Sequence, residues 1–514
     1  MCDTEILVVG AGPTGLTVAL QSRLSGAKVR IIEQRSEPRS WAPALAVQPR
    51  TMEILRGLGV SNGLLERGLS EVELRVHADG WSVEGSLHHL HLPATQFPFV
   101  LFAPQPDVEA VLRGRLTELG VEVEWGSQLT GLVQHGDRVE CWVHHSGTDT
   151  CIVANYVAGC DGSDSFVRTA IGARFKGRHY RRTIVIGDAD PTDDLESGTA
   201  HAFLRRTGIV FSFPLPSGDW RIIAPEKGAG GDLIEAVSRH TDGSLRLAKV
   251  KWVKSIRLQH RLASCYGIGR VFLAGDAAHV HSPAGAQGMN TGIQDAANLG
   301  WKLAVAVHGA PDILLSSYEM ERRAIAKRVL RLTGIAHAFE ISDVLPFRIS
   351  RLWVARAFAR LVLPRPRLVS VIARAVSGLD IAYRRGAVDD VSVRLRGFRP
   401  GGRLADVPLT HGPSAHLHGL IDGAGFHLLV FDGEIDDGSR EEISQKYEGM
   451  VTIKQTARAT LPADIRTPGY VLVRPDGHIA TAGDDSGADR ARRYLARWVL
   501  PTTNREHPSN RSNA

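Results

Sequence analysis

The chain has 514 residues, 43% hydrophobic and 23% charged, with a formal net charge of +6. That length allows two or three domains of the usual ~100–200 residues, and the composition is that of a soluble globular protein with a sizeable core. The mild positive balance suits an anionic cofactor without pointing to nucleic acid, and no apolar run approaches the ~18 residues of a membrane span. Cys2, Cys141, Cys151, Cys160 and Cys265 are odd in number with no CxxC pair, which argues against a disulfide framework and against a zinc site. An apolar strand follows Met1 almost directly, with no basic leader, and predicts a cytoplasmic protein.

Residues 5–9 read as a buried strand running into Gly10-Ala11-Gly12-Pro13-Thr14-Gly15, then a helix, then a second strand at 28–32 ending in Glu33. In that setting GxGxxG signals a dinucleotide. Gly10 permits the tight turn, Gly12 lets a pyrophosphate reach the helix N-terminus, and Gly15 allows close helix–strand packing. Glu33 stands about 20 residues on, where an acidic group binds an adenosine ribose. This unit alone does not separate FAD from NAD.

Past Pro49 the chain turns helical, and Arg50 faces either a phosphate or solvent. Residues 72–102 alternate as in a small sheet. Gln105 opens an amphipathic helix, either as a cofactor donor or as a plain loop residue. Strand-like runs at 121–125, 138–144 and 150–157 lead to Asp161-Gly162, a second carboxylate after a strand, with Ser165 and Arg168 opening the next helix. This predicts a second nucleotide-contacting loop. Longer β-like runs from 171 to 266 predict an inserted sheet that roofs a cofactor. Core packing explains Phe203, Phe211, Phe213 and Trp220 singly; together they fit a pocket for a flat apolar substrate.

In 271–303 an apolar strand stops at Gly275 and puts Asp276 at the carboxyl end of the sheet, where open α/β sheets bind ligands. Gly285, Gly288 and Gly292 bracket the start of a helix whose apolar residues recur at helical spacing. Bare N–H groups at such a start accept a planar, anionic ligand. Beyond it, 347–375 carries seven Arg among Trp, Phe and Leu, read as a solvated helical cover in preference to a membrane-surface helix. Residues 397–413 read as a linker into a last unit with strands at 426–431 and 470–473, and the tail past Pro501 as disordered.

GAGPTG with Glu33, GCDGSDSFVR and AGDAAHVHSPAGAQGMNTGIQDAANLGWKL, in this order, resemble the signature set of the single-component flavoprotein aromatic hydroxylases, whose prototype is para-hydroxybenzoate hydroxylase. ALAVQPRTMEIL, SGLDIAYR and YVLVRPDG bring the resemblance closer to the actinobacterial branch that acts on polyketides and other polycyclic or phenolic compounds.

The resemblance implies an α/β fold: a Rossmann-type FAD-binding domain (1–75, 103–172, 269–335), an inserted β-sheet substrate domain (76–102, 173–268) and a helical cover (336–396). A C-terminal thioredoxin-like α/β domain (397–505) and a disordered tail (506–514) complete it, with a homodimer as one possible assembly. Gly10, Gly12, Gly15 and Glu33 would bind the ADP half of FAD, and Asp276 its ribityl and pyrophosphate region. Asp161, Gly162 and Arg168 would serve FAD and a passing NADPH or NADH. Pro283 and the backbone of Gly285, Ala286, Gln287, Gly288, Met289 and Asn290 would border the isoalloxazine ring.

The implied activity is hydroxylation of an electron-rich aromatic substrate with NAD(P)H and O2 through a C4a-hydroperoxyflavin. No catalytic base is assigned; His and Tyr residues of the inserted sheet are the candidates. The alternative is a flavoprotein that shelters a reactive aromatic intermediate without oxygenating it, while the WxWxIP segment of flavin halogenases is absent. Two departures stand out: Pro43 occupies the position where relatives often carry an Arg that contacts FAD, with Trp41 nearby as a stacking candidate. All the cysteines precede residue 270, so the last unit cannot exchange dithiols.

Overall fold

The structure is a computed structural model. It describes residues 2–341 except 79–80, 89, 93, 193–194, 206–207, 227–231, 242 and 283, and then 353–354, 357, 360–362, 365–388, 398–409, 414–432, 435–457, 469–499 and 501. Much of the expected helical cover, part of the expected linker, and the tail lie outside the described residues.

The continuous apolar runs form the centre of the first sheet, as expected of strands covered on both faces. Thr4–Val9 lies between Val29–Glu33 and Thr148–Gly159, parallel to both, and Val271–Leu273 runs parallel on the far side of Thr148–Gly159. Three of the sequence motifs therefore leave the same end of one sheet. The helices Pro13–Leu24 and Gln287–Val307 pack against each other there; a Cβ at Gly300 would fall 2.7 Å from Gln21 Cβ, so glycine sets their close approach.

The second sheet has eight strands. Its order runs His279–Val280, Leu247–Ala263, Phe175–Pro191, Trp220–Pro225, Gly208–Pro214, Thr199–Arg205, Glu73–Ala78 and Trp81–Ser86. Its first strand belongs to the Asp276 stretch: Val280 pairs with Arg261 and His279 with Leu262, so the two sheets meet at that motif. Successive side chains alternate between faces. Phe203 and Trp220 fall on the face packed against the Leu233–Thr241 helix, with Val185, Val210 and Ile222. This corrects the reading of these two aromatics as pocket residues. Phe211 and Phe213 lie on the opposite face, half-buried and stacked at 5.9 Å, and Phe213 also stacks on Phe102.

The last unit is a four-stranded mixed sheet in the order Val451–Thr456, Phe426–Phe431, Tyr470–Val473, Ile479–Gly483, flanked by helices Asp437–Lys446 and Asp489–Trp498. It shares a core with the first unit: Trp301 meets the Phe426 ring edge-on at 5.4 Å. Beside that contact lies a fully buried ionic cluster. Glu321 accepts from Lys302 Nζ at 2.8 Å and from both Arg474 terminal nitrogens at 3.0 and 2.9 Å, while Asn298 donates to Glu321 at 2.7 Å and to Asp476 at 2.9 Å. YVLVRPDG thus supplies a docking turn.

The described part of the cover also departs from expectation. The Pro366–Ser377 helix points Leu368, Val371 and Ile372 outward. Among the described residues, no helix is long and apolar enough to cross a membrane.

Candidate functional site

Glycine geometry decides what the first motif can do. Gly10 has φ +103°, and a Cβ there would lie 2.5 Å from the Cys160 carbonyl oxygen; a Cβ at Gly15 would lie 1.8 Å from the Gly10 oxygen. Both positions are closed to any side chain. At Gly12 nothing stands within 4 Å of a Cβ, and the helix it opens has no side-chain cap. Unpaired N–H groups there face open space, the arrangement that binds phosphate.

The third motif builds a second such terminus. Gly275 takes φ +61° where a Cβ would meet Thr14 Oγ1 at 2.5 Å, and Gly292 abuts the same oxygen at 2.4 Å. Thr14, inside GAGPTG, is therefore the wedge that fixes the two glycine-rich helix starts side by side; its role had no signature in the sequence. Ala286, left-handed at φ 53°, opens the Gln287–Val307 helix with no side-chain cap, and Gly288 has open space around its Cβ position. Asn290 anchors this terminus by donating to the Ala46 and Ala286 carbonyls at 2.9 and 2.7 Å and accepting from Gln48 N at 2.8 Å. Gln287 donates to the carbonyls of Gly285 at 3.0 Å and Val376 at 2.9 Å. Met289 packs on the first core.

Asp276, next to Gly275, presents an exposed side chain. The surrounding protein mass pushes its carboxyl pKa up, an effect His279 partly opposes. Two open glycine cradles at helix N-termini, with an exposed carboxylate one residue past the glycine that meets Thr14, fit the pyrophosphate and the hydroxyl-bearing chain of FAD.

The matching families agree. Residues 3–333 match the model described as FAD binding domain, and residues 398–501 the model described as aromatic-ring hydroxylase, C-terminal. The chain belongs to the FAD-dependent aromatic-ring hydroxylases. It is 34% identical to a 6-methylpretetramide 4-monooxygenase of Streptomyces rimosus over 97% of this chain and 94% of that one. Among solved structures it resembles the OxyS anhydrotetracycline hydroxylase from Streptomyces rimosus (TM-score 0.79, 29% identity, 96% and 99% of the two chains). It also resembles the Diels-Alderase PyrE3 of pyrroindomycin biosynthesis (TM-score 0.75, 26% identity, 97% and 100%).

In this hydroxylase several expected cofactor residues have other work. Glu33 is nearly buried and accepts four hydrogen bonds: from Ala11 N at 2.8 Å, from Arg35 N at 3.0 Å, and from the Arg35 side chain at 3.1 and 3.2 Å. A carboxylate offers about four acceptor positions, so a ribose has to displace Arg35 to reach it. Burial raises the Glu33 pKa, but Arg35 and Ala11 outweigh it and hold the carboxyl below its ordinary range.

Asp161 braces the start of the Phe166–Ala170 helix, accepting from Ser165 Oγ at 2.5 Å and Val167 N at 3.0 Å; burial outweighs these bonds and raises its pKa. Arg168 donates to the Ala277 and Ser163 carbonyls at 3.0 and 2.8 Å and lies over the Phe175 ring, tying the second motif to the third. Gly162, at φ +82° with open space around it, is the part of that loop left facing outward. Both side chains brace the loop in this way.

Arg50 is neither solvated nor presented to a phosphate. Its guanidinium is buried, donating to Glu53 at 3.0 Å and to the Asp476 carbonyl at 2.7 Å. Gln105 donates to Glu109 one turn along its own helix at 2.8 Å, with one amide N–H and the amide oxygen left over. Pro283 lies outside the described residues.

Two clusters were invisible to sequence reasoning because their members are far apart in the chain. His279 sits 2.6 Å from Asp295, which also takes Arg322 Nε at 2.6 Å. Burial pushes the Asp295 carboxyl up, but Arg322 and His279 outweigh it and hold it low. The second cluster involves the departure at Pro43. Arg221, 1% exposed, pairs with Asp188 and donates to the carbonyls of Ala42 at 2.9 Å and Pro43 at 3.0 Å. Trp252 Nε1 donates to the same Asp188 at 2.7 Å, and its ring stacks on Trp41 at 4.7 Å. The loop at Pro43 is thus clamped to the inserted sheet, and Trp41 is occupied by Trp252.

Proposed function

We propose that this chain hydroxylates an electron-rich, polycyclic phenolic substrate of the polyketide kind, using NAD(P)H and O2. The observation that carries the reading is the convergence, fixed by Thr14, of two uncapped glycine-lined helix starts beside Gly275 and Asp276; we read the inserted-sheet face bearing Phe211 and Phe213 as the roof over them. FAD supplies the redox and oxygen-activating chemistry when bound. Gly10 and Gly15 shape the first turn so that the N–H groups after Gly12 receive the pyrophosphate, and Asp276 accepts from ribityl hydroxyls. The positive dipole end of the Gln287–Val307 helix would stabilise negative charge on a flavin ring held at that terminus. Residues 285–290 do this through backbone, with Asn290 and Gln287 holding that backbone in place. The roof face excludes water and favours a flat apolar ring system over a small polar one. Division of the chain into an FAD-binding unit, an inserted substrate sheet and a C-terminal unit follows the same reading.

The second reading, a flavoprotein that reshapes or shelters an aromatic or polyene intermediate without adding oxygen, is favoured by the clamped Pro43 loop and by the likeness to a Diels-Alderase. NAD(P)H consumption with a panel of polycyclic phenols, followed by product mass, separates the two. A substrate-dependent gain of one oxygen atom supports hydroxylation. Turnover to an isomer of unchanged mass, with no stimulated NAD(P)H consumption, supports the second reading and rejects the first.

A further inference from the structure

The exposed large apolar side chains are unevenly distributed: eight of the sixteen among the described residues fall between Leu332 and Ile372. The Pro366–Ser377 helix shows why this is unusual. Leu368, Val371, Ile372 and Ala375 recur at i, i+3, i+4 and i+7, the spacing of an apolar stripe. A stripe of that kind ordinarily faces the core, but here Leu368 is 44%, Val371 65% and Ile372 43% exposed, while Ala373 on the inner side packs towards Leu90, Leu92 and Leu379. Trp353 (70% exposed) and Leu361 (56%) precede it in the chain. The charge is equally one-sided: no Asp or Glu occurs from 344 to 379, whereas Arg360, Arg365 and Arg367 are exposed.

We infer that this helix is a reversible membrane-surface anchor for bilayers containing anionic lipid. A short helix with an outward aliphatic stripe, flanking Arg and a neighbouring Trp has the composition that lies flat at the headgroup boundary, with its apolar face in the acyl region and its cations on lipid phosphates. A second copy of the chain is the poorer occupant. A two-fold contact sets a patch against itself, so the same Arg residues would face their own like charges with no carboxylate from this stretch to compensate. The inner side of the helix receives the Gln287 side chain on its Val376 carbonyl, so the helix itself packs on the start of the Gln287–Val307 helix while its apolar stripe faces away. The inference does not rest on the hydroxylase reading: vesicle binding and turnover are separate readouts.

The test is co-sedimentation of the FAD-loaded full chain with vesicles of phosphatidylcholine alone or mixed with phosphatidylglycerol, at low and high salt. Binding to the mixed vesicles, weakened by salt, is expected. The double variant Val371→Ser/Ile372→Ser changes side chains that already face solvent; it is expected to keep FAD and melting temperature and to partition roughly tenfold or more weakly. Arg365→Gln/Arg367→Gln should remove the preference for the anionic lipid. Absence of sedimentation with the mixed vesicles overturns the inference, as does equal binding by wild type and the Ser double variant. A lipid-free dimer that the Ser variant converts to monomer assigns the face to a second copy instead.

Discussion

At Gly12 a single hydrogen separates a cofactor cradle from an ordinary helix start. A Cβ there meets nothing within 4 Å, so Gly12→Val should fold normally yet obstruct the ligand. FAD retention is expected to fall about tenfold or more, equivalent to roughly 1.4 kcal/mol or more, measured as FAD released on dilution against an unchanged circular-dichroism melt. Gly15→Ala should instead fail to accumulate as folded protein, since its Cβ would lie 1.8 Å from the Gly10 oxygen. Asp276→Ala should lose FAD without loss of fold. Arg221 tests the clamp. Arg221→Met leaves the Asp188 carboxylate without its cation and the Ala42 and Pro43 carbonyls without donors, a change expected to cost about 3–5 kcal/mol. Thermal melting checks the stability. If the clamp positions the flavin-facing loop, the fraction of NAD(P)H oxidised without product should also rise; unchanged coupling would reduce Arg221 to a packing role.

Whole elements were easier to read from sequence than the partners of individual side chains. The strand–turn–helix at Gly10–Gly15, the strand ending before Asp276 and the helix at 287–307 follow from apolar periodicity and glycine placement, which are local properties. Glu33, Asp161 and Gln105 were assigned to ligand from position alone. Their actual partners, Arg35, Ser165 and Glu109, lie only two to four residues away and satisfy them locally. Phe203 and Trp220 needed strand register to be assigned to a face, and register belongs to the sheet. The docking of the C-terminal unit depends on a pairing 153 residues apart, Glu321 with Arg474.

That pairing sets a pH dependence. Burial pushes the Glu321 carboxyl up, but Arg474 and Lys302 more than reverse this and bring it down from 4.5 to about 2. A carboxyl lowered on folding contributes stability that is fully present above its unfolded value and is lost as pH falls. The contribution of Glu321 should therefore fade between about pH 4.5 and about pH 2. Glu321→Gln should flatten this part of the acid-unfolding profile, followed by circular dichroism, and should destabilise the protein at neutral pH because Lys302 and Arg474 lose their shared anion.

Across the whole molecule, the site forms where the nucleotide sheet, the inserted sheet and the last unit share residues. The His279–Val280 strand joins the two sheets, Arg221 clamps the Pro43 loop from the roof, and Arg50 connects the helix after Val47 to the Asp476 turn. On the proposed reading the flavin ring would be met by backbone, since no residue from Gly285 to Asn290 carries an ionisable side chain. The chemistry is then governed by the bound flavin and by how well the roof excludes water. The most direct measurement is product mass under oxygen-18 gas with FAD-loaded protein, NAD(P)H and a polycyclic phenol that stimulates NAD(P)H consumption. A product carrying one oxygen-18 atom is expected. A product of unchanged mass, or one whose added oxygen comes from water, would contradict it.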